Sequence, residues 1–360
     1  MLSGIKIVEI EGLGPAPFAG MMLADLGAEV TVIHRKGKAG GITAKASLLD
    51  RGKRSIALDL KDSGDVAIAR ALIERSDALI EGFRPGVMER LGLGPDICLN
   101  ANPKLVFGRM TGWGQTGPRA QQAGHDLNYI ATSGALHYAG LPQAAPVTPA
   151  TLVGDIGGGA LYLVAGLLAG VIKAGRTGQG CVVDAAIVDG SAHMMNLLMA
   201  LGQGGGLSAN RGESLLDGPH WSRSYQCACG GYVSVQALEP QFYAALLDAL
   251  GLAEDASMAA QHDARQWDAQ TKRLGDVFKG RSRVEWEAHF DGSEACVAAV
   301  LNPWEAAQEI HMQARGTWDN TQAHLQAAPA PRFDGQTPKI KAAPARDADR
   351  AAILTEIGLA

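Results

Sequence analysis

Short runs of β-branched and aliphatic residues alternate with helical patterns along the first part of the chain. The runs that predict strands are Ile5–Ile10, Val30–Ile33, Ser55–Leu60, Ala78–Ile80 and Leu105–Arg109. The stretches between them that predict helices are Ala16–Leu26, Asp65–Glu74 and Pro85–Leu91. Strands that alternate with helices are typical of a parallel sheet covered by helices. The pattern therefore predicts an α/β fold that begins with a large Rossmann-like domain.

A change of pattern follows the further strand predicted in Gly180–Val188. Leu201–Gly218 is rich in glycine, and a second set of strand and helix patterns runs from Tyr225 to Val300. Ala327–Ala345 is rich in proline and alanine and precedes a helical pattern at Arg350–Ile357. We predict a large domain at 1–190, a linker at 191–224, a smaller α+β domain at 225–305, a second linker at 306–330 and a C-terminal segment at 331–360.

One stretch, Ile156–Ile172, contains no charged residue and is just long enough to suggest a membrane span. It is interrupted by glycines and has no second apolar stretch to accompany it, so we predict a buried helix of a soluble enzyme and no membrane partner. The N-terminus has no cleavable apolar region and the C-terminus has no Ser-Lys-Leu signal. We expect a cytoplasmic location.

Composition narrows the classes of function. The net charge of −5 excludes a general nucleic-acid binder with a strong basic surface. The five cysteines are an odd number at irregular spacing, which indicates a reducing compartment. Cys227 and Cys229 form one C-x-C without the second ligand pair of a typical zinc site, so we predict no metal. The 46 glycines are about 13% of the 360 residues, nearly twice the usual ~7%. This excess indicates many close approaches to the backbone.

Two segments that follow predicted strands favour an anionic ligand. Gly12–Pro17 reads G-x-G-x-x-P, which lacks the third glycine of the dinucleotide fingerprint, and the next strand ends in basic residues where an NAD enzyme carries an acid. These residues argue against an NAD site. Arg35 is compatible either with a phosphate-bearing adenine nucleotide or with a solvated basic loop. Glu81–Arg90 combines a glycine, an aromatic ring and two arginines at the carboxyl end of a strand, which favours phosphate binding.

Four polar residues are candidates for an active site. His125 follows a glycine-rich loop, and imidazole titrates near neutral pH. Asp126 and Asp155 read either as helix N-caps or as members of an active site, and a carboxylate among the glycines and apolar residues around Asp155 is expected to have a raised pKa. Glu239, in the second unit, reads either as part of a surface turn or as a partner of His125.

Taken in order, these motifs resemble the family III CoA-transferase superfamily and, within it, the α-methylacyl-CoA racemases. The resemblance extends over nearly the whole chain. Its segments are Leu2–Gly4, Ala24–Val30, Glu81–Gly94, Thr111–Pro118, Gly124–Tyr129, Gly154–Gly159, Gly178–Gly190 and Glu239–Tyr243.

The resemblance implies ring-shaped subunits that form an interlocked homodimer, with the C-terminal segment returning to the large domain. It implies that an acyl-CoA thioester is the substrate and that its CoA moiety is the only cofactor. The acyl part would run to a methionine-rich surface that Met194, Met195 and Met199 match. The CoA contacts implied are Arg35, Leu58, Asp59, Leu60, Lys61, Gly82, Phe83, Arg84, Arg90, Gly124, Leu127, Asn128 and Tyr129.

The resemblance further implies interconversion of (R)- and (S)-2-methylacyl-CoA through an enolate. His125 would be the base for the S substrate and Asp155 for the R substrate, while the Asp126 amide binds the enolate oxygen and Glu239, from the small domain of a partner subunit, supports His125. The alternative is an acyl-CoA:carboxylate CoA-transferase with Asp126 as nucleophile. A third reading is a non-catalytic adenine-nucleotide-binding module. Fatty, bile-acid-like and arylpropionyl chains are all compatible with the sequence.

Overall fold

Six parallel strands form the central sheet of the protein, in a computed structural model that describes residues 1–37, 47–321 and 324–359. The strands are β1 (Lys6–Ile10), β2 (Glu29–Arg35), β3 (Arg54–Leu58), β4 (Ala78–Glu81), β5 (Val106–Thr111) and β6 (Cys181–Ala186). They lie in the order β3-β2-β1-β4-β5-β6, and each neighbouring pair is parallel. This confirms the predicted α/β class.

The strand order reverses between β1 and β4, and open parallel sheets bind ligands at the carboxyl ends of strands at such a point. The loop after β1 contains Gly12 and Gly14, and the loop after β4 contains Gly82–Arg84. Both segments were singled out from the sequence. The topology therefore brings them to the same edge of the sheet.

Helices cover both faces of this sheet. They are α1 (Pro15–Asp25), α2 (Ser63–Glu74), α3 (Val87–Arg90), α4 (Pro95–Ala101), α5 (Asp126–Ser133), α6 (Leu161–Thr177) and α7 (Ile187–Met194), followed much later by α14 (Arg350–Ile357). On one face α1 and α6 pack on the strands through residues such as Leu23 and Leu167. On the other face α2 and α14 pack through residues such as Ile73 and Ile353.

The apolar helix α6 continues a helical run that begins at Leu152, and the 26 residues from Leu152 to Thr177 are long and apolar enough to cross a membrane by length and composition. One face of α6 lies on the sheet, where Leu163 and Leu167 are buried against β5. Its opposite face exposes Leu161 and Ile172, which are 43% and 56% accessible.

Contacts divide the chain into two compact units, each with its own core. The first comprises Met1–Ala135, Pro149–Met195 and Gly316–Ala360, and the second comprises Leu136–Thr148 and Asn196–Arg315. The first unit also contains the short antiparallel pair β10 (Trp318–Asp319) and β11 (Gln326–Ala327). Residues 322–323, within the predicted second linker, lie outside the described residues.

The second unit has a three-stranded antiparallel sheet in the order β7-β8-β9, formed by β7 (Ser222–Gln226), β8 (Tyr232–Gln236) and β9 (Val297–Ala299). Its helices are α8 (Asn196–Gln203), α9 (Pro240–Ala249), α10 (Trp267–Phe278), α11 (Arg283–Phe290), α12 (Pro303–Ala306) and α13 (Ile310–Arg315). Its core is aromatic, with Trp221, Phe278 and Trp286 all buried. Large rings fill such a small core efficiently.

Candidate active site

The predicted bases lie on two adjacent helical segments of the first unit. His125 is the N-cap of α5, and Asp155 lies in a π-helical run, Leu152–Ala160, that leads into α6. π-Helical geometry is rare and occurs frequently at functional sites. Thr151, the N-cap of this run, has a φ of 63°, which is strained for a β-branched residue. The backbone around Asp155 is therefore held in an unusual conformation.

The N-cap interpretations of Asp126 and Asp155 are wrong. Asp126 lies in the first turn of α5, because the helix begins one residue earlier, where the His125 amide donates to the Asn128 side chain at 3.0 Å. Asp155 lies inside its helical run, because the amide of the following Ile156 already bonds to the carbonyl of Thr151 at 3.1 Å. Neither residue is therefore the N-cap of its helix.

Asp126 and Asp155 are linked directly. The backbone amide of Asp155 donates to Oδ1 of Asp126 at 2.8 Å, and Asp126 is only 7% exposed. Gly154 makes this approach possible, since a β-carbon there would lie 2.4 Å from the same oxygen. The hydrogen bond connects the start of α5, which carries His125, to the segment that carries Asp155.

The carboxyl group of Asp155 has a pKa raised to about 6. Burial is the main cause, the charge of Asp126 raises the pKa further, and His125 partly opposes both. The loop after β1 contributes to this burial, because a β-carbon at Gly14 would lie 3.5 Å from Oδ2 of Asp155. A carboxyl group that titrates near neutral pH can both accept and return a proton.

His125 presents an exposed side chain from a fixed backbone. Its amide is held by Asn128, and the hydroxyl of Tyr129 donates to the carbonyl of the preceding Gly124. The Tyr129 ring packs edge-on against Trp113, with the ring centroids 4.8 Å apart. Asn128 and Tyr129 were predicted from the family resemblance to contact CoA, and their contacts here hold the loop that carries His125.

A cleft of about 190 Å³ opens beside His125. The predicted CoA residues that line it are Gly82, Phe83, Arg84, Gly124 and Tyr129. Trp113 also lines this cleft, and its indole Nε1 is buried without a hydrogen-bond partner. The cleft thus joins the loop after β4 to the loop that carries His125.

A second cavity of about 500 Å³ has a basic lining. It brings together three predicted CoA residues, Leu60, Lys61 and Arg90, and adds Arg70 of α2, which sequence reasoning missed. Arg70 donates to the carbonyl of Gly92 at 2.9 Å, just beyond α3. Its position in the middle of an amphipathic helix gave no sign of this cavity.

A buried ion network supports the loop after β4 and was also missed. Arg109 of β5 lies opposite Glu81 of β4, and its Nε is 2.9 Å from a Glu81 oxygen. The other Glu81 oxygen accepts the Phe83 amide at 2.7 Å, and Arg109 also pairs with Glu89 of α3 at 2.7 Å. Glu81 is fully buried, and burial raises its pKa. This network fixes the shape of the segment that bears Gly82–Arg84.

The remaining predicted CoA residues lie outside the linings of these two cavities. Arg35 and Leu58 end β2 and β3 and are paired in register. The amide of Asp59 is held by Asp65 at 2.8 Å. Leu127 is 54% exposed in the first turn of α5. The topology nevertheless places Arg35, Leu58 and the loop after β4 at carboxyl ends of strands in one sheet.

Two further sequence-selected features have defined surroundings. Met194, the last residue of α7, lies 3.4 Å from the position that a β-carbon at Gly157 would occupy. Gly157 follows Asp155 by two residues. Glu239 is the N-cap of α9 in the second unit. Gln261 holds the turn before Glu239 by donating to the carbonyls of Ala237 and Leu238 at 3.2 and 3.0 Å. Within the described ranges, no cluster of three or more His, Cys, Asp or Glu side chains is arranged to hold a metal ion.

Comparison with known proteins gives a consistent result. The α-methylacyl-CoA racemase of Mus musculus is 40% identical over 346 residues, covering 95% of this chain and 89% of the relative. The α-methylacyl-CoA racemase of Homo sapiens is 40% identical over 333 residues, covering 92% and 86%. The crystal structure of a CAIB/BAIF family protein from Brucella suis superimposes with a TM-score of 0.82 at 25% identity, covering 99% of this chain and 98% of that one. Residues 2–350 match CoA-transferase family III, and the chain belongs to that family.

Proposed function

We propose that this protein is an isomerase that interconverts (R)- and (S)-2-methylacyl-CoA thioesters. The observation that carries the proposal is the pairing of His125 with an Asp155 whose pKa is raised to about 6, in a chain 40% identical to α-methylacyl-CoA racemases. Inversion at the carbon next to a thioester needs a base on one face and an acid on the other. An imidazole, together with a carboxyl group whose pKa is raised to about 6, meets this requirement.

The proposed reaction is a proton transfer in two steps. For the S substrate His125 removes the α-proton, and the electron pair moves onto the thioester oxygen to give an enolate. Protonated Asp155 then returns a proton to the opposite face, and for the R substrate the two groups exchange roles. The amide of Asp126, in the first turn of α5, donates to the enolate oxygen, where a developing negative charge is best stabilised by a fixed donor.

We place CoA along the carboxyl edge of the sheet. Its contacts would come from Arg35, the segment from Leu58 to Lys61, Gly82–Arg84, Arg90 and the loop at Gly124–Tyr129. The basic cavity with Lys61, Arg70 and Arg90 supports this placement, because CoA carries several phosphate charges. The acyl chain would lie toward Met194, which is next to the Asp155 segment. A methionine surface adapts to many chain shapes.

We further propose an interlocked homodimer of ring-shaped subunits, with Glu239 of a partner subunit supporting His125. The exposed apolar residues Leu161 and Ile172 on the outer face of α6 support a contact with another subunit. The five cysteines are free, which is consistent with a reducing, cytoplasmic location. The proposed chemistry needs no cofactor besides the CoA of the substrate.

Two observations weigh against the CoA-transferase alternative. The carboxylate of Asp126 is almost completely buried, and it already accepts the amide of Asp155. A nucleophile that attacks a thioester needs an accessible oxygen. The buried, hydrogen-bonded position of Asp126 instead favours a structural and electrostatic role toward Asp155.

The test is to incubate a single enantiomer of a 2-methylacyl-CoA with the protein in deuterated water. We expect deuterium at the α-carbon together with loss of enantiomeric purity. Mass spectrometry measures the deuterium, and chiral analysis of the released acid measures the enantiomeric purity. A CoA-transferase would instead move CoA to an added carboxylate and form a trappable anhydride or thioester at Asp126. Absence of both exchange and epimerisation in folded protein would refute the proposal.

A further inference from the structure

Residues 346–350, called here the C-terminal strap, lie along the edge strand β3. Oδ1 of Asp347 accepts the Ala57 amide at 2.7 Å, and Oδ2 of Asp349 accepts the Ser55 amide at 2.8 Å. Arg350 donates to the carbonyl of Ala57 at 2.8 Å. The strap thus satisfies backbone groups that an edge strand otherwise leaves open. It also fixes the strand end from which the segment Leu58 to Lys61 departs.

The first residue of the strap reaches the end of the neighbouring strand. Arg346 forms a two-pronged ion pair with Glu11, at 2.7 and 2.9 Å. The Glu11 carboxylate also lies 3.1 Å from Nδ1 of His34 and accepts the amide of Arg35 at 2.7 Å. Arg346 in turn donates to the Arg35 carbonyl. Both peptide groups of Arg35 are therefore held, while its side chain remains exposed.

The last residue of the strap connects to the same edge by charge. Arg350 lies 3.9 Å from Asp65, a buried carboxylate of α2. Asp65 accepts the Asp59 amide at 2.8 Å and pairs with Lys36 at 3.3 Å. We attribute CoA binding in part to Arg35 and to residues 58–61. Both segments are thus held by residues that contact the strap.

We propose that the C-terminal strap is part of the CoA-binding site, with Arg346 as a positioning residue that acts through Glu11 on Arg35. The inference rests on the proposed function, since it takes Arg35 as a contact of the CoA phosphates. Arg346 itself is neutralised by Glu11 and holds the Arg35 peptide. A residue 311 positions from Arg35 along the chain therefore determines how the Arg35 guanidinium is presented.

The primary test compares Arg346→Gln with a matched control, Glu356→Gln. Glu356 of α14 also forms a two-pronged pair, with Arg54 of β3 at 2.7 and 2.8 Å, but makes no contact with Glu11 or Arg35. We expect Arg346→Gln to raise the KM for the acyl-CoA and the Kd for free CoA about tenfold, which corresponds to the loss of one charge-assisted hydrogen bond. The kcat should stay within about twofold of the wild-type value. Glu356→Gln is expected to leave all three unchanged, and Arg346→Lys to recover part of the affinity.

A double-mutant cycle separates positioning from general loosening of the fold. If Arg346 acts through Arg35, Arg346→Gln adds less than about twofold to the Kd for CoA in an Arg35→Gln background. Should Arg346→Gln not fold, Glu11→Gln serves in the same cycle. Full additivity with Arg35→Gln, or equal effects of Arg346→Gln and Glu356→Gln, would overturn the proposal. Calorimetry measures the Kd for CoA without any turnover. The proposal for the strap can therefore be tested even if the wild-type protein fails to exchange an α-proton, and failure of the proposed reaction is distinguished from failure of the proposal for the strap.

Discussion

The backbone amide of Asp155 donates a 2.8 Å hydrogen bond to the side chain of Asp126. Through this bond the first turn of α5, next to His125, is fixed relative to the opposing carboxylate. The negative charge of Asp126 also contributes to the raised pKa of Asp155. Asp126 therefore affects both the position and the protonation of Asp155.

Replacing Asp126 with asparagine tests the electrostatic part of this relationship. The amide oxygen can still accept the Asp155 hydrogen bond, but the charge that raises the pKa of Asp155 is gone, so that pKa falls from about 6. Asp155 acts as base only when ionised, so wild-type turnover of the R substrate declines as the pH falls through about 6. In Asp126→Asn we expect the decline at lower pH, measured as kcat/KM against pH.

If kcat/KM declines at the same acidic pH in Asp126→Asn as in the wild type, Asp126 does not set the pKa of Asp155. The same variant also distinguishes the two family activities. A CoA-transferase that uses Asp126 as nucleophile would lose all turnover in Asp126→Asn, whereas a racemase keeps both of its bases. Circular dichroism of the variant controls for loss of structure.

Asp155→Asn is expected to separate exchange from inversion. His125 can still remove the α-proton of the S substrate and return deuterium to the same face, but no acid remains on the opposite face. We expect epimerisation to fall by about 10²–10⁴-fold, the usual contribution of one general acid or base. Deuterium exchange into the S substrate should fall far less. Equal loss of both activities would contradict the assignment of separate faces.

Local patterns predicted the elements of the sheet, and they marked His125 and Asp155 as candidate site residues, because each pattern depends on neighbouring residues. The strand predicted at Ser55–Leu60 ends earlier, at Leu58, since the amide of Asp59 is taken by a side chain rather than by a strand. Helix α3 starts at Val87 rather than Pro85, because Gly86 has a left-handed φ of 83°. Helix α8 lies partly within the glycine-rich stretch and was not predicted.

Contacts between distant parts of the chain were not visible in the sequence. Asp126 and Asp155 are 29 residues apart, and Arg346 and Glu11 are 335 apart, so no spacing rule connects them. Arg109 and Glu81 lie inside otherwise apolar strands, where each is an isolated charge until the register of β4 and β5 places them opposite each other. Tertiary structure alone reveals that these charges are paired.

A second buried pair lies under α1 and allows a test of stability. Lys53 and Glu9 are fully buried with 2.6 Å between Nζ and Oε2, and burial raises the pKa of Glu9 to about 7 despite the attraction of Lys53. Lys53→Met removes that attraction, so the pKa of Glu9 rises further. Above this pKa the variant carries an uncompensated buried charge, and we expect a loss of about 3–5 kcal/mol in unfolding free energy at pH 8.5.

The loss in Lys53→Met should be smaller at pH 5. The pKa of Glu9 is higher in the folded state than in the unfolded state. Such a group stabilises the fold most at low pH, and this stabilisation is lost as the pH rises through the folded-state pKa. Urea denaturation at both pH values measures the difference. The double variant Glu9→Gln/Lys53→Met should show little of this pH dependence, and a loss that is the same at pH 5 and pH 8.5 in the single variant would contradict the role given to Glu9.

Arg109 provides a test of the loop after β4. Lysine at this position keeps a positive charge near buried Glu81 but cannot pair with Glu81 and Glu89 at the same time in the geometry of a guanidinium. Because Glu81 also holds the Phe83 amide, Arg109→Lys should loosen the segment that bears Gly82–Arg84. We expect the KM for the acyl-CoA to rise about tenfold with little change in kcat, as for the loss of uniform binding. Steady-state kinetics beside thermal unfolding checks this, and a fall in kcat at unchanged KM would place Arg109 with the proton-transfer groups instead.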